Sequence, residues 1–345
     1  MAMLVALGAA TSAFAAAATS NPYAPAIETL ADRLATRFVD PAAGQRYAQM
    51  LRTNLAAGKY DDIDDAKAVA QRLTEDLQAV QADGHLRVDL APEPGMVRGP
   101  LPGTAPHGAP KAAGGARTSS LAPVDLPSVA ETKWIADGVA YLRFNQFGGE
   151  PASVAALQAF VKDYAAAKAI VIDTRTLARG GGLAEMDTLF PFLFDKETVL
   201  VEMSVAKNDG PPGGPFAAGS PTMREVPGPA GMLVLQHVAI PDATEHRLAQ
   251  AKVYYLTSPR TRSAGEHFAL ALKRTHRATL IGEHTAGANH FGGIEPIGAG
   301  LAAFIPVGRT YDPDTGKDWE GTGIIPDIEV PAEQALAKAL ELAKD

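Results

Sequence analysis

Three short motifs, far apart in the chain, carry the residue types of a serine hydrolase. Asp83-Gly84-His85 supplies an imidazole, Thr261-Arg262-Ser263-Ala264-Gly265-Glu266 a hydroxyl, and Trp319-Glu320-Gly321-Thr322-Gly323 a carboxylate. A serine hydroxyl is a weak nucleophile until a base takes its proton and a third group orients that base. The chemistry therefore depends on elements that bring positions 85, 263 and 320 together.

Each motif also has a plainer reading. Ser263 followed by Glu266 is a capping box at a helix start. Asp83-Gly84 is a turn dipeptide, and a loop carboxylate such as Glu320 is ordinarily solvated. Two other histidines compete for the role of base. His267 lies four residues past Ser263 and should point away from a reactant at the helix N-terminus. His290, in the Gly-rich loop Thr285-Ala286-Gly287-Ala288-Asn289-His290, is the stronger rival. Asp173-Thr174-Arg175 leads to Gly180-Gly181-Gly182, whose N–H groups could face an oxyanion or a phosphate. Its spacing matches neither a phosphate P-loop nor a dinucleotide fingerprint.

The elements that would position these groups are legible in outline. Ile27, Leu30, Leu34 and Phe38 recur at helical spacing, as do Tyr47, Met50, Leu51 and Leu55, and then Val69, Leu73, Leu77 and Val80. Pro41 separates the first two helices and Gly58 stops the second. The acidic run 61–65 reads as the start of the third helix rather than a cation loop. Residues 91–130 are rich in Pro, Gly, Ala and Ser and read as a linker. From Trp134 the chain alternates strand and helix: a hairpin at Asp137-Gly138, an amphipathic helix through Val154–Tyr164, and a buried-type strand 169–173. An apolar helix then runs to Phe194, with strands at Val199–Val205, Met232–Leu235, Val253–Thr257 and Thr279–Ile281. Ser263 falls between the third of these strands and a helix over Ala264–Lys273, where free N–H groups favour a developing oxyanion. The expected organisation is a leader at 1–20, a helical subdomain at 24–90, a linker at 91–130 and an α/β domain at 131–340.

Composition narrows the function classes. With 345 residues, 46% of them hydrophobic, the chain can bury a substantial core. It contains no cysteine, which excludes disulfides and thiolate chemistry. The net charge is −8 and no basic run occurs, so nucleic acid is not an expected partner. Residues 2–18 are almost all small or apolar, with Ala13-Phe14-Ala15 in the small-x-small form of a signal-peptidase site. No positively charged n-region precedes them. The run is too short for a membrane span, so no stable membrane insertion is expected. A cleaved export signal, and a periplasmic or secreted location, are the expectation, with an Ala-rich tail as the alternative.

Taken together the motifs resemble the C-terminal-processing (tail-specific) serine peptidases, in the branch that includes tricorn protease and interphotoreceptor retinoid-binding protein. The resemblance rests on Ile172-Asp173-x-Arg175 with its Gly pair, Leu256-Thr257…Thr261-x-Ser263-Ala264-x-Glu266, Gly282-Glu283-x-Thr285-x-Gly287 and Gly321-x-Gly323-Ile324-x-Pro326-Asp327, in order over about residues 25–340. It implies a ClpP/crotonase-like α/β core preceded by a small N-terminal three-helix subdomain. It further implies Ser263 as nucleophile, His85 as general base and Glu320 as the acidic member. The backbone N–H groups of Ala264, Gly180 and Gly181 would form the oxyanion hole. The lysine of the processing-peptidase dyad is replaced by Ala288, and the serine that precedes the tricorn histidine by Gly84. The family's Asp-x-Arg-x-Asn-x-Gly-Gly pattern lacks its Asn and carries two extra residues within Thr176–Arg179. No PDZ-like segment lies between His85 and Trp134. The implied activity is cleavage of a peptide or unfolded-protein substrate, with no metal or organic cofactor. The same residues would also suit an esterase or amidase, and the same fold a non-catalytic binding module for apolar ligands or peptides.

Overall fold

Proline and aspartate start the helices that periodicity places first in the chain. In the computed structural model, which describes residues 21–91, 126–207 and 220–344, these are α1 (Ala24–Arg37), α2 (Pro41–Ala56) and α3 (Ala66–Val80). Asp40 caps α2, its carboxylate accepting the Ala42 and Ala43 N–H groups. Asp65 caps α3 through the Ala68 N–H, so the acidic run is a helix start. The leader 1–20 and most of the 91–130 linker lie outside the described residues.

After α3 comes a short strand, β1 (Arg87–Leu90), and then, beyond the linker, β2 (Val129–Ala136), β3 (Val139–Phe144), α4 (Pro151–Asp163), β4 (Ala169–Asp173), α5 (Ala184–Leu193) and β5 (Thr198–Ala206). The chain continues through β6 (Met223–Val226), β7 (Met232–Ala239), β8 (Lys252–Thr257), α6 (Ala264–Arg274), β9 (Thr279–Gly282), β10 (Phe291–Gly298), β11 (Leu301–Tyr311), β12 (Ile328–Glu329) and α7 (Ala335–Leu342). The α/β class and the N-terminal three-helix segment expected from the sequence are both present.

Two sheets organise the core. One runs β12-β9-β8-β4-β3-β2, parallel except for the edge strand β2. Its inner strands β3, β4, β8 and β9 are largely buried on both faces, as covered parallel sheets require. Ile170, Ile172, Val253 and Tyr255 face a cluster shared with α4, α5 and α6. Val171, Tyr254 and Leu256 face the opposite way, onto α7. The other sheet is antiparallel, in the order β1-β11-β5-β7-β6, with β10 also on β11. The pairs of β10 span Leu301 to Gly308 of β11, so β1 at Leu301–Phe304 and β5 at Gly308–Tyr311 must share the other edge.

The helical segment is not a separate body. Its apolar faces and β1 form one cluster with Leu301, Ala303, Ile305 and Val307 of β11. The turn carrying His85 therefore lies between a helix and a strand that are both fixed to the α/β core. Leu30 is fully buried in this cluster. Replacing it with Ala should cost about 2–5 kcal/mol, read as a lowered urea midpoint; an unchanged midpoint would show that the helices do not share this core.

Candidate active site

β8 hands over to α6 through a turn that Thr261 organises. The Thr261 hydroxyl donates to the Thr174 carbonyl (3.1 Å) and accepts the Ser258 N–H (3.1 Å). Ser263 ends this turn with φ 52 and ψ −117, a left-handed-side conformation that a non-glycine residue holds only when its surroundings impose it. It is half-buried at the N-terminus of α6, and its side chain makes no capping hydrogen bond. Ala264 is the first helical residue, so its N–H has no intrahelical acceptor.

Glu266 holds this conformation in place. Its carboxylate is fully buried and accepts four donors: Ser263 N–H (2.8 Å), Gly287 N–H (2.6 Å), Ala288 N–H (2.9 Å) and the Thr285 hydroxyl (2.6 Å). Burial pushes its pKa up, and the four hydrogen bonds oppose that shift. The sequence signal was the i+3 spacing of a capping box, of which Glu266 supplies the carboxylate that takes the Ser263 N–H.

The Gly-rich turn lies directly against the serine. A Cβ on Gly180 would stand 2.7 Å from Ser263 Oγ and 3.1 Å from Ala264 N. Gly181 has φ +149, and a Cβ there would stand 1.7 Å from the Phe147 carbonyl oxygen. Phe147 donates to the Gly180 carbonyl and accepts the Gly182 N–H, which pins the turn. The N–H groups of Gly180 and Gly181 have no protein acceptor among the described residues. Asp173 and Arg175 serve the architecture: they pair with each other at 2.6 Å, and Arg175 also ties down the Ala332 carbonyl.

Asp83 shapes the histidine turn. Its Oδ1 accepts the His85 and Leu86 N–H groups, both at 2.8 Å. A Cβ on Gly84 would stand 2.8 Å from Ala288 Cα and Cβ, so this turn touches the loop whose N–H groups share Glu266 with Ser263. The His85 ring stacks on Phe304 at 5.3 Å. Burial lowers its pKa to about 4; the Asp83 charge opposes that shift, and Arg87, Arg262 and His290 add to it. Its Nδ1 is buried without a partner, and no hydrogen bond joins the ring to Ser263 or Glu320 among the described residues.

Glu320 meets the same turn through the backbone. It accepts Gly84 N–H (2.7 Å), Asn289 N–H (2.7 Å) and His290 N–H (3.0 Å). Burial and the Asp83 charge raise its pKa, while His290 and the N–H groups oppose the rise. His290 itself is buried with Nδ1 2.6 Å from Asp83 Oδ2 and 3.7 Å from Glu320 Oε2. Asp83, His290 and Glu320 thus hold three potential ligand atoms within 4.8 Å. All four carboxylate oxygens of this group already accept protein donors, so it reads as a polar network rather than an open metal site.

The rival histidines separate by surroundings. His267 accepts or donates to His237 at 2.9 Å inside the core, and His237 in turn reaches Asp187 at 3.0 Å. The His290 ring meets Phe38 edge-on, on the side of the N-terminal helices. The charge of Arg262, the residue before Ser263, is among those that lower the His85 pKa.

Known proteins share the family and the fold of this chain. The model of peptidase family S41 matches residues 138–330, and that of the N-terminal domain of Peptidase_S41 in eukaryotic IRBP matches residues 6–114. A lipoprotein from Streptococcus agalactiae is similar in fold, with TM-score 0.55 and 13% identity over 92% of this chain and 95% of that one. The photosystem II D1 C-terminal processing protease is also similar, with TM-score 0.52 and 17% identity over 93% of this chain and 98% of that one.

Glu266→Gln keeps the size of the side chain but turns one acceptor oxygen into a donor facing backbone N–H groups. It should cost about 2–5 kcal/mol, measured by denaturant unfolding. A midpoint equal to the wild type would remove Glu266 from its central place.

Proposed function

This chain belongs to peptidase family S41, and we propose that it is a serine peptidase working through an acyl-enzyme, with Ser263 as nucleophile, His85 as general base and Glu320 as the acidic member. The observation that carries the reading is the Ser263 turn: a strained, uncapped serine at a helix N-terminus, packed against Gly180. Ser263 Oγ attacks the scissile carbonyl while its proton passes to the imidazole of His85. The bond to the leaving amine breaks as His85 returns that proton, and water then releases the acyl group. The oxyanion is held by the N–H groups of Ala264, Gly180 and Gly181. Asp83 supports the imidazolium by charge, and Glu320 acts through the Gly84 N–H and its own charge. The substrate is a peptide or unfolded protein, met outside the cytoplasm if residues 2–18 act as an export signal.

A second reading, a binding module on the same fold, has one observation in its favour: the unpartnered Nδ1 of His85. Fluorophosphonate labelling separates the two, because only an activated serine reacts. Labelling should occur at Ser263, and Ser263→Ala should abolish it and lower kcat by roughly 10,000-fold or more. A folded wild-type protein that does not label would favour the binding module.

The pH dependence follows from the burial of His85. Its folded pKa of about 4 lies below the unfolded value, so the neutral base persists well under neutrality. The labelling rate should hold down to about pH 5 and fall only below it. Between about pH 6.5 and 4 the unfolded chain binds the extra proton, so His85 makes stability fall as pH falls. An acid limb at the ordinary histidine value would contradict the buried base.

A further inference from the structure

His290 is the strongest group that the proposed chemistry leaves unused. It is separated from Asp83 by 207 residues and buried beside it, with Nδ1 2.6 Å from Oδ2. Burial alone would lower its pKa; the hydrogen bond and charge of Asp83, with the charges of Glu320 and Asp318, outweigh this and raise it. Asp83 responds in the opposite sense: burial would raise it, and His290 with the two backbone N–H groups brings it down. A 2.6 Å contact between a buried imidazole and a buried carboxylate suits an imidazolium–carboxylate pair. A second carboxylate, Glu320, stands 3.7 Å away.

These are also the two carboxylates that build the histidine turn. Asp83 takes the N–H groups of His85 and Leu86, and Glu320 takes that of Gly84. Without a cation between them they would be two buried like charges, which repel and favour protonation. We propose that His290 is a positioning residue, the buried cation that lets Asp83 and Glu320 stay ionised together and so fixes both the place and the basicity of His85. The proposal rests on the serine-peptidase reading only for its catalytic consequence. The ionisable groups involved are Asp83 on the turn, Tyr47 from α2, Arg87 on β1, Arg262 before Ser263, and Asp318 and Glu320 from the loop after β11. Tyr47 keeps its proton, because burial and then the Asp83 charge raise it.

The signs can be worked out. Removing the cation leaves one more uncompensated negative charge near His85, which raises its pKa. Removing Asp83 as well restores the local charge, because −1, +1 and −1 become 0, 0 and −1. In the full chain, His290→Gln should slow fluorophosphonate labelling of Ser263 by roughly tenfold or more. It should move the acid limb up by roughly half to one pH unit. Asp83→Asn with His290→Gln should bring the limb back. Asp83→Asn alone should move it down, which keeps the test alive if His290→Gln folds poorly. A limb unmoved in these variants would overturn the proposal even if labelling slowed, because loss of packing alone slows labelling without moving the limb.

NMR titration of the imidazoles provides a readout that needs no activity. His290 should be cationic at neutral pH, and the His85 midpoint should rise in His290→Gln. A neutral His290, or an unmoved His85, would overturn the positioning role. If the wild type never labels, the serine-peptidase reading fails, and the NMR coupling still decides the role of His290.

Discussion

A buried carboxylate with four donors is a demanding object. Its donors must be gathered by the fold, and losing one leaves charge uncompensated where water cannot help. Glu266 draws its donors from the Ser263 turn and from Thr285, Gly287 and Ala288. The left-handed-side conformation of Ser263 is therefore held by a charge and not only by sterics. The demand propagates outward. The Thr285 hydroxyl accepts the Ile324 N–H, and Gly287 accepts the Gly321 N–H, so the loop bearing Glu320 is registered on the loop that satisfies Glu266. Gly323 has φ +70, and a Cβ there would stand 2.3 Å from the Thr285 carbonyl oxygen, which explains why glycine is needed at that point of the motif.

Two of the small residues that set this chain apart from the pattern it resembles, Gly84 and Ala288, meet in one packing contact. The sequence resemblance implies a serine at the Gly84 position in one branch and a lysine at the Ala288 position in the other. In this fold those positions touch, since a Cβ on Gly84 would collide with Ala288. A lysine at one place and a side chain at the other would compete for the same volume. The small pair brings the Asp83–His85 turn close to the Glu266 loop, and the Gly84 N–H takes up the Glu320 carboxylate. The Glu320 carboxylate thus meets the turn backbone here, and a second network built on Asp83 and His290 adjoins the histidine turn.

How much of this was legible in the sequence depended on the range of the interaction. The first three helices were readable because their apolar residues recur every turn and their starts carry Asp or Pro. The parallel strands were readable as short apolar runs between helices. β10 and β11 were not, since Gly292, Gly293 and Pro296 weaken the first and Pro306 and Gly308 interrupt the second. β11 is nonetheless buried along most of its length, because β10, β1 and β5 all pair with it. In the loop that follows it, Asp312–Gly316 forms a turn, with Gly316 N–H bonded to the Asp312 carbonyl, and no strand follows directly. In the site, the glycines and Ser263 stood out through local motif grammar. The Asp83–His290 pair gave no signal, since nothing local to either residue announces a partner 207 positions away.

That long-range pairing bears on what the N-terminal helices are for. Asp83 and His85 follow α3 directly, whereas Ser263, Glu266 and His290 belong to the α/β core. The turn is fixed on one side by Gln78 of α3, whose side-chain amide donates to the Asp83 and Leu86 carbonyls, and on the other by β1 on β11. The Phe38 ring, just after α1, packs edge-on against both Tyr47 and His290. A shift of the helices relative to the sheet would therefore move the His85 turn relative to α6 and expose the Asp83–His290 pair in a single step. The apolar cluster of α1–α3 with β11 thus does two jobs: it buries surface that neither part could bury alone, and it fixes the His85 turn against the loop at Ala288. The burial that lowers the basicity of His85 and the docking that places it are the same contact, so the site cannot relax one without losing the other.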